Sequence, residues 1–183
     1  SVHIMRAARI LHSGGVIAYP TEAVYGIGCL PYDELALERV LQLKRRSPNK
    51  GFIVIAASTA QVEAYAELPD GDIGSEVNAS WPGPVTWVLQ AKQHVSSILT
   101  GGRSTIAIRM TAHPVARGLC IRTGSAIVST SANLAGHAPI RSKTRLRRQI
   151  GSAVDMILPG NLGDRARPTA IRDGSTGAVI RAD

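Results

Sequence analysis

The stretch Lys44-Arg45-Arg46-Ser47-Pro48-Asn49-Lys50 places four cations in seven residues. Cations at a helix C-terminus gain about 0.3–1 kcal/mol from the dipole, so capping is one account of the run. A phosphate clamp is the other, with lysine as a point charge and arginine as a bidentate fork. Ser129-Thr130-Ser131-Ala132-Asn133 puts three hydroxyls and an amide in five residues. Such a stretch makes an Asx or Ser/Thr turn, or a cradle for phosphate or an adenine edge. Tyr19-Pro20-Thr21-Glu22 leads from an apolar segment into a polar pair, and small residues follow as far as Gly28. An ordinary turn explains it; alternatively the Thr21 hydroxyl donates to a carboxylate or phosphate. A fourth segment holds Arg141, Lys143, Arg145, Arg147 and Arg148, five cations in eight residues with no acid. A solvated helix face and an RNA-phosphate contact both fit it.

Several chemistries are excluded by what is missing. There is no GxxxxGK[ST] phosphate loop, and Gly26-Ile27-Gly28 is a lone GxG with Pro31 where a third glycine would stand. HExxH, GxSxG and kinase signatures are absent. His3, His12, His94, His113 and His137 lack metal-ligand spacing, read as surface or loop residues, and imply no metal site. Cys29 and Cys120 form neither a disulfide scaffold nor a CxxC pair, so a reducing, cytoplasmic setting is expected.

These segments need elements to position them. The 183 residues suit one domain over 1–183. Hydrophobic residues make up 44% and charged residues 19%, a globular balance. Aromatics are only 4%, which leaves the core to Ala, Val, Ile and Leu and argues against base-stacking platforms. No apolar run reaches the roughly 20 residues that span a membrane. The net charge is +8, and it is uneven. Residues 1–100 carry 8 cations against 9 anions, and residues 101–183 carry 13 against 4. The second half therefore favours polyanionic partners. Helical spacing covers 3–12, a helix capped by Asp33, one capped by Ser58, one from Pro114, and a basic one capped by Ser142. Apolar runs predict strands at 16–19, 52–57, 85–89, 105–110 and 126–129, with short ones near Ile157, Ile171 and Val179. The alternation predicts an α/β fold, and the hairpin from Ala170 to Arg181 predicts a mixed sheet.

Six landmarks in order carry a resemblance to a known family. They are Tyr19 to Gly28, Lys44-x-Arg46 with Lys50-Gly51, Trp81-Pro82-Gly83-Pro84-Val85-Thr86-Trp87, Arg109 before His113-Pro114, Ser129 to Asn133, and Arg167-Pro168-Thr169-Ala170-Ile171-Arg172-Asp173. The chain resembles the YrdC/TsaC family of threonylcarbamoyl-AMP synthases in its short, single-domain form. The resemblance implies a twisted, open mixed sheet flanked by helices, with a basic concave face. It implies a reaction in which L-threonine, bicarbonate or CO2, and ATP with Mg²⁺ give threonylcarbamoyl-AMP and pyrophosphate. tRNA and threonylcarbamoyl-transferase partner proteins would follow. Lys44, Arg46, Ser131 and Asn133 would be the catalytic core. Thr21, Arg109 and Thr169 would take threonine; Lys44, Thr86, Ser131, Asn133 and Arg181 would take ATP. The alternative function is a non-catalytic module binding tRNA or double-stranded RNA. Two positions depart from the family: Ser47 stands where proline is common, and Arg181 is followed by Ala182-Asp183 where a glycine is common two residues on.

Overall fold

The computed structural model describes residues 1–166 and 168–182, so Arg167 and Asp183 of the sequence reading lie outside the described residues. The elements run α1 (Val2–His12), β1 (Ile17–Pro20), β2 (Tyr25–Gly28), α2 (Glu34–Lys44), β3 (Ile53–Ala56), α3 (Thr59–Glu63), α4 (Gly71–Ser80) and β4 (Val85–Gln90). They continue with α5 (Ser97–Thr100), β5 (Thr105–Met110), α6 (Pro114–Thr123), β6 (Ile127–Ser131), α7 (Lys143–Ile150), β7 (Met156–Ile157), β8 (Ala170–Asp173) and β9 (Val179–Arg181).

The expected caps are in place. Asp33 accepts from Ala36 N at 3.0 Å, Ser58 from Gln61 N at 3.4 Å, and Ser142 from Arg145 N at 3.4 Å. His113, expected on the surface, is instead buried; its Nδ1 caps α6 by accepting from Ala116 N at 3.4 Å. Helix α4 was not expected from the sequence, because Gly71, Gly74 and two serines obscure its pattern. Nor was β2, which occupies the small-residue stretch read above as a turn.

The strands form one mixed sheet ordered β7-β1-β2-β6-β3-β5-β4-β8-β9. Pairs β1–β7, β3–β5 and β4–β8 are parallel and the others antiparallel. Side chains alternate across the sheet. Ile17, Tyr19, Ile55 and Ile127 meet α1 and α6 through Leu11, Ala116 and Leu119. Val54, Trp87, Ile108 and Val128 meet Leu37 and Val40 of α2, Val77 of α4 and Leu146 of α7 on the other face.

Gly28 is needed for close packing inside the sheet. A Cβ there would lie 2.0 Å from Val128 O and 3.0 Å from the Tyr19 ring, whose hydroxyl already donates to Val128 O at 2.8 Å. Gly28→Ala is expected to cost about 3 kcal/mol or more and to lower the melting temperature sharply. A thermal unfolding curve within a few degrees of wild type would contradict this packing.

Candidate active site

Register carries a row of polar side chains across the α1/α6 face of the sheet. Gly26 pairs with Ser131, Ile53 with Ser129, and Ile55 with Arg109. Beyond the ends of α1 and α6 this face stays open as a cavity of about 230 Å³. No residue of either helix lines it. Among the described residues three arginines do, Arg46, Arg109 and Arg181, together with Thr21, Ser129, Thr130, Ser131 and Thr169.

Arg109 is 5% exposed at the cavity floor. Its Nη2 donates to Glu22 Oε2 at 3.0 Å, and its Nη1 to Thr169 Oγ1 at 2.8 Å and Thr86 Oγ1 at 3.4 Å. Its Nε is buried without a partner. Thr111 Oγ1 donates to Glu22 Oε1 at 2.6 Å. Burial alone would push the Glu22 carboxyl up, but the Arg109 guanidinium, and then the Thr111 hydroxyl, hold it below the usual carboxylate range.

Helix α2 ends on Arg45 in the left-handed region, with φ of 49°. That turn separates the directions of Lys44 and Arg46. Arg46 reaches the cavity rim, donates to Gly51 O through Nε at 3.2 Å and Nη2 at 3.1 Å, and packs over the Phe52 ring. Lys44 goes under the rim instead. It is 2% exposed, and its ammonium donates to Ser131 O and, at 2.7 Å, to Asn133 O. Burial, and then the neighbouring Arg46 charge, push the Lys44 ammonium down to about 8.

The sequence-predicted residues thus fall into two sets. Thr21, Arg46, Arg109, Ser131, Thr169 and Arg181 line the cavity. Lys44, Thr86 and Asn133 stand behind that lining: Thr86 is fully buried beside Arg109, and Lys44 fastens the 131–133 loop by its main chain. Asn133 Nδ2 donates to Leu134 O and His137 O, while its Oδ1 is buried without a partner. Two expectations about hydroxyls change. The Thr21 hydroxyl gives its proton to Val24 O at 2.7 Å, so it offers the cavity an acceptor and not the donor expected of it. Strand β6 extends through Ser131, so Ser129, Thr130 and Ser131 are strand residues and the turn begins after them. Arg181 donates to Thr169 O at 2.7 Å; burial and the Arg109 charge lower its pKa.

The basic stretch also divides. Arg141 Nη1 donates to Arg165 O and Ala166 O, and Lys143 Nζ to Asn161 Oδ1 at 3.4 Å, so both hold the 161–166 segment. Arg145, Arg147 and Arg148 are exposed on α7, whose Leu146 and Ile150 face inward. Cys29 and Cys120 are buried free thiols, each pushed up to about 12 by burial, which makes them inert. Sequence reasoning left Glu22 and Thr111 without roles, and gave Ser129 and Thr130 only a place among the hydroxyls of the 129–133 stretch. Glu22 had a signal: it is the first acid in the chain and sits at a strand end.

Fold and cavity together define an α/β protein with an arginine-lined cleft on one face of a mixed sheet, suited to anionic ligands. Residues 9–182 match the Sua5/YciO/YrdC family, described as telomere recombination. The threonylcarbamoyl-AMP synthase of Alkalilimnicola ehrlichii is 52% identical over 98% of this chain and 95% of that protein. That of Nitrosococcus oceani is 51% identical over 96% and 95%. The crystal structure of P. abyssi Sua5 complexed with L-threonine superposes with a TM-score of 0.91 at 29% identity, covering 97% of this chain. This chain spans about half of that protein, 53% of its length. E. coli YciO matches with a TM-score of 0.84 at 27% identity, covering 98% of this chain and 88% of that one. The chain belongs to the Sua5/YciO/YrdC family. Among the described residues, no helix is long and apolar enough to cross a membrane.

Proposed function

We propose that this chain, acting as a single YrdC-like domain in the cytoplasm, is a threonylcarbamoyl-AMP synthase and in class a nucleotidyltransferase. It would join L-threonine, bicarbonate or CO2, and ATP into threonylcarbamoyl-AMP, releasing pyrophosphate. The observation that carries the reading is Arg109: a nearly buried guanidinium, held by Glu22 and Thr169, on a residue that lines the cavity. A fixed, nearly buried cation at a cavity wall is a receptor for a carboxylate. The threonine carboxylate fits there. The Thr21 oxygen, with its proton spent on Val24 O, suits the amine or hydroxyl of the same amino acid.

The phosphates then belong to the other side of the cavity. Arg46 and Arg181 supply charge at the rim, and the Ser131 hydroxyl supplies a directed donor. In the reaction the threonine amine adds CO2 and loses a proton to give a carbamate. A carbamate oxygen bonds to the α-phosphorus as the bond to pyrophosphate breaks. Both partners are anions, so the barrier is largely electrostatic, and a preorganised cationic cleft lowers it. The carbamate is labile, so the cleft acts by holding it in line, a proximity effect. Among the described residues no group of three or more His, Cys, Asp or Glu could hold a metal, and Mg²⁺ is assigned to the ATP phosphates, where it neutralises charge. The product would pass to tRNA through partner proteins, with Arg145, Arg147 and Arg148 as the free cations for RNA contact.

The test is product analysis by mass after incubation with ATP, Mg²⁺, L-threonine and labelled bicarbonate. A labelled adenylate that forms only with threonine present is expected. Pyrophosphate release that ignores threonine, or no labelled adenylate, would overturn the proposal.

A further inference from the structure

We infer that Glu22 is a positioning residue for the amino-acid subsite, holding the Arg109 guanidinium in place for the ligand carboxylate. The inference rests on the reading of Arg109 as the carboxylate receptor. A guanidinium is planar, so fixing two of its nitrogens fixes the direction of the third N–H. Glu22 Oε2 fixes Nη2 at 3.0 Å and Thr169 Oγ1 fixes Nη1 at 2.8 Å. Arg109 lines the cavity with its plane set by these two contacts, while its Nε is buried and unpartnered.

Glu22 is itself held on every side. Its other oxygen takes the Thr111 hydroxyl at 2.6 Å. That hydroxyl accepts from His113 N at 3.2 Å, which turns its proton toward the carboxylate. The His113 main chain starts α6, so the relay is anchored on a helix end. On the opposite side, Thr21 O accepts from Gly163 N at 3.0 Å and Glu22 O from Arg165 N at 3.2 Å. The carboxylate therefore has little freedom, and it passes that rigidity to Arg109.

Charge adds a second reason. Arg46, Arg109 and Arg181 share the cavity wall, and Arg181 lies near enough to Arg109 to feel its charge. Glu22 is the acid paired with Arg109, and the two side chains are 10% and 6% exposed. Without it, repulsion from Arg181 would push Arg109 off the position that faces the ligand. A pair serving only to tie β1 to β5 would leave ligand preference untouched, and this separates the two roles.

The experiment compares wild type, Glu22→Gln and Thr111→Val. Calorimetry gives the affinity for L-threonine and for L-threoninamide, which lacks the carboxylate, and kinetics gives KM for threonine and for ATP. Glu22→Gln should weaken threonine binding about tenfold, the loss of one charge-assisted contact, while KM for ATP holds. For threoninamide the same substitution should change affinity by about twofold or less, because the contact that Glu22 aims is absent. Thr111→Val keeps the ion pair and removes one donor, so it should raise KM for threonine about threefold with kcat unchanged. Equal threonine affinity in wild type and Glu22→Gln overturns the assignment. So does an equal loss for both ligands, or a parallel rise in KM for ATP. Failure of wild type to bind threonine overturns the proposed function and this assignment together.

Discussion

Arg109→Met loses threonine binding by about a hundredfold or more, the expected result of deleting a buried, hydrogen-bonded charge that receives a carboxylate. Stability falls as well, by about 3–5 kcal/mol, because the substitution leaves the Glu22 carboxylate buried with only the Thr111 hydroxyl for support. The variant should also reverse the pH response of Glu22. In wild type the folded Glu22 pKa is held below its unfolded value of about 4.3, so its contribution to stability is present above that value and is lost on acidification through the lowered folded pKa. Without Arg109, burial is left as the dominant influence and raises the folded pKa above the unfolded one. The folded state then binds more protons than the unfolded state between the two values, so stability rises as pH falls. Melting curves at pH 5 and pH 7.5 read this directly. Arg109→Met should be less destabilised relative to wild type at the lower pH; an equal deficit at both would mean that Glu22 is not left charged and unpaired. Arg109→Lys, which keeps the charge but loses the fork, should recover part of the stability and little of the threonine affinity.

Local chemistry explains why so much of this arrangement was legible in the sequence. Asp33, Ser58 and Ser142 announce their helices because a side-chain oxygen before a periodic segment satisfies free N–H groups. The central strands announce themselves because they are buried on both faces and read as apolar runs. Strand β2 did not, since Tyr25-Gly26-Ile27-Gly28 lacks that run; its Gly28 admits Val128 O, a fact of packing against a strand distant in sequence. The site divides in the same way. Arg46, Arg109 and Ser131 are polar groups at strand and helix ends, which sequence reasoning can flag. That Lys44 and Arg46 go different ways could not be read, because it depends on Arg45 adopting a left-handed conformation between them. That Glu22 pairs with Arg109 depends on strands β1 and β5, which are not neighbours in the sheet. Long-range pairing of this kind leaves no local signal.

Lys44→Met is expected to separate activity from stability. The ammonium holds Ser131 O and Asn133 O, so it shapes the loop that ends β6 and carries the cradle hydroxyls. Two effects on stability oppose each other. The two carbonyls lose their donor, at about 1–3 kcal/mol each. The burial of a cation with no carboxylate partner is relieved, which is worth several kcal/mol in the other direction. The melting temperature should therefore move little, while turnover falls about a hundredfold as the hydroxyl donors lose their preorganised positions. A variant with full activity would mean that the cradle holds its shape without the lysine. The titration gives an independent sign. Folded Lys44 releases its proton near 8, whereas an unfolded lysine does so near about 10.4. Between those values the unfolded state binds more protons, so wild-type stability gains a rising component with pH that Lys44→Met lacks. The same proton loss removes one positive charge from behind the ATP side of the cavity. ATP affinity of wild type should thus fall as pH rises through about 8, while that of Lys44→Met, already weak, stays level across the range. A wild-type affinity that is flat from pH 7 to 9 would place the lysine charge outside the reach of the nucleotide. Stability and binding therefore respond to one proton in opposite directions: the cation that the fold would shed is the one the ligand needs.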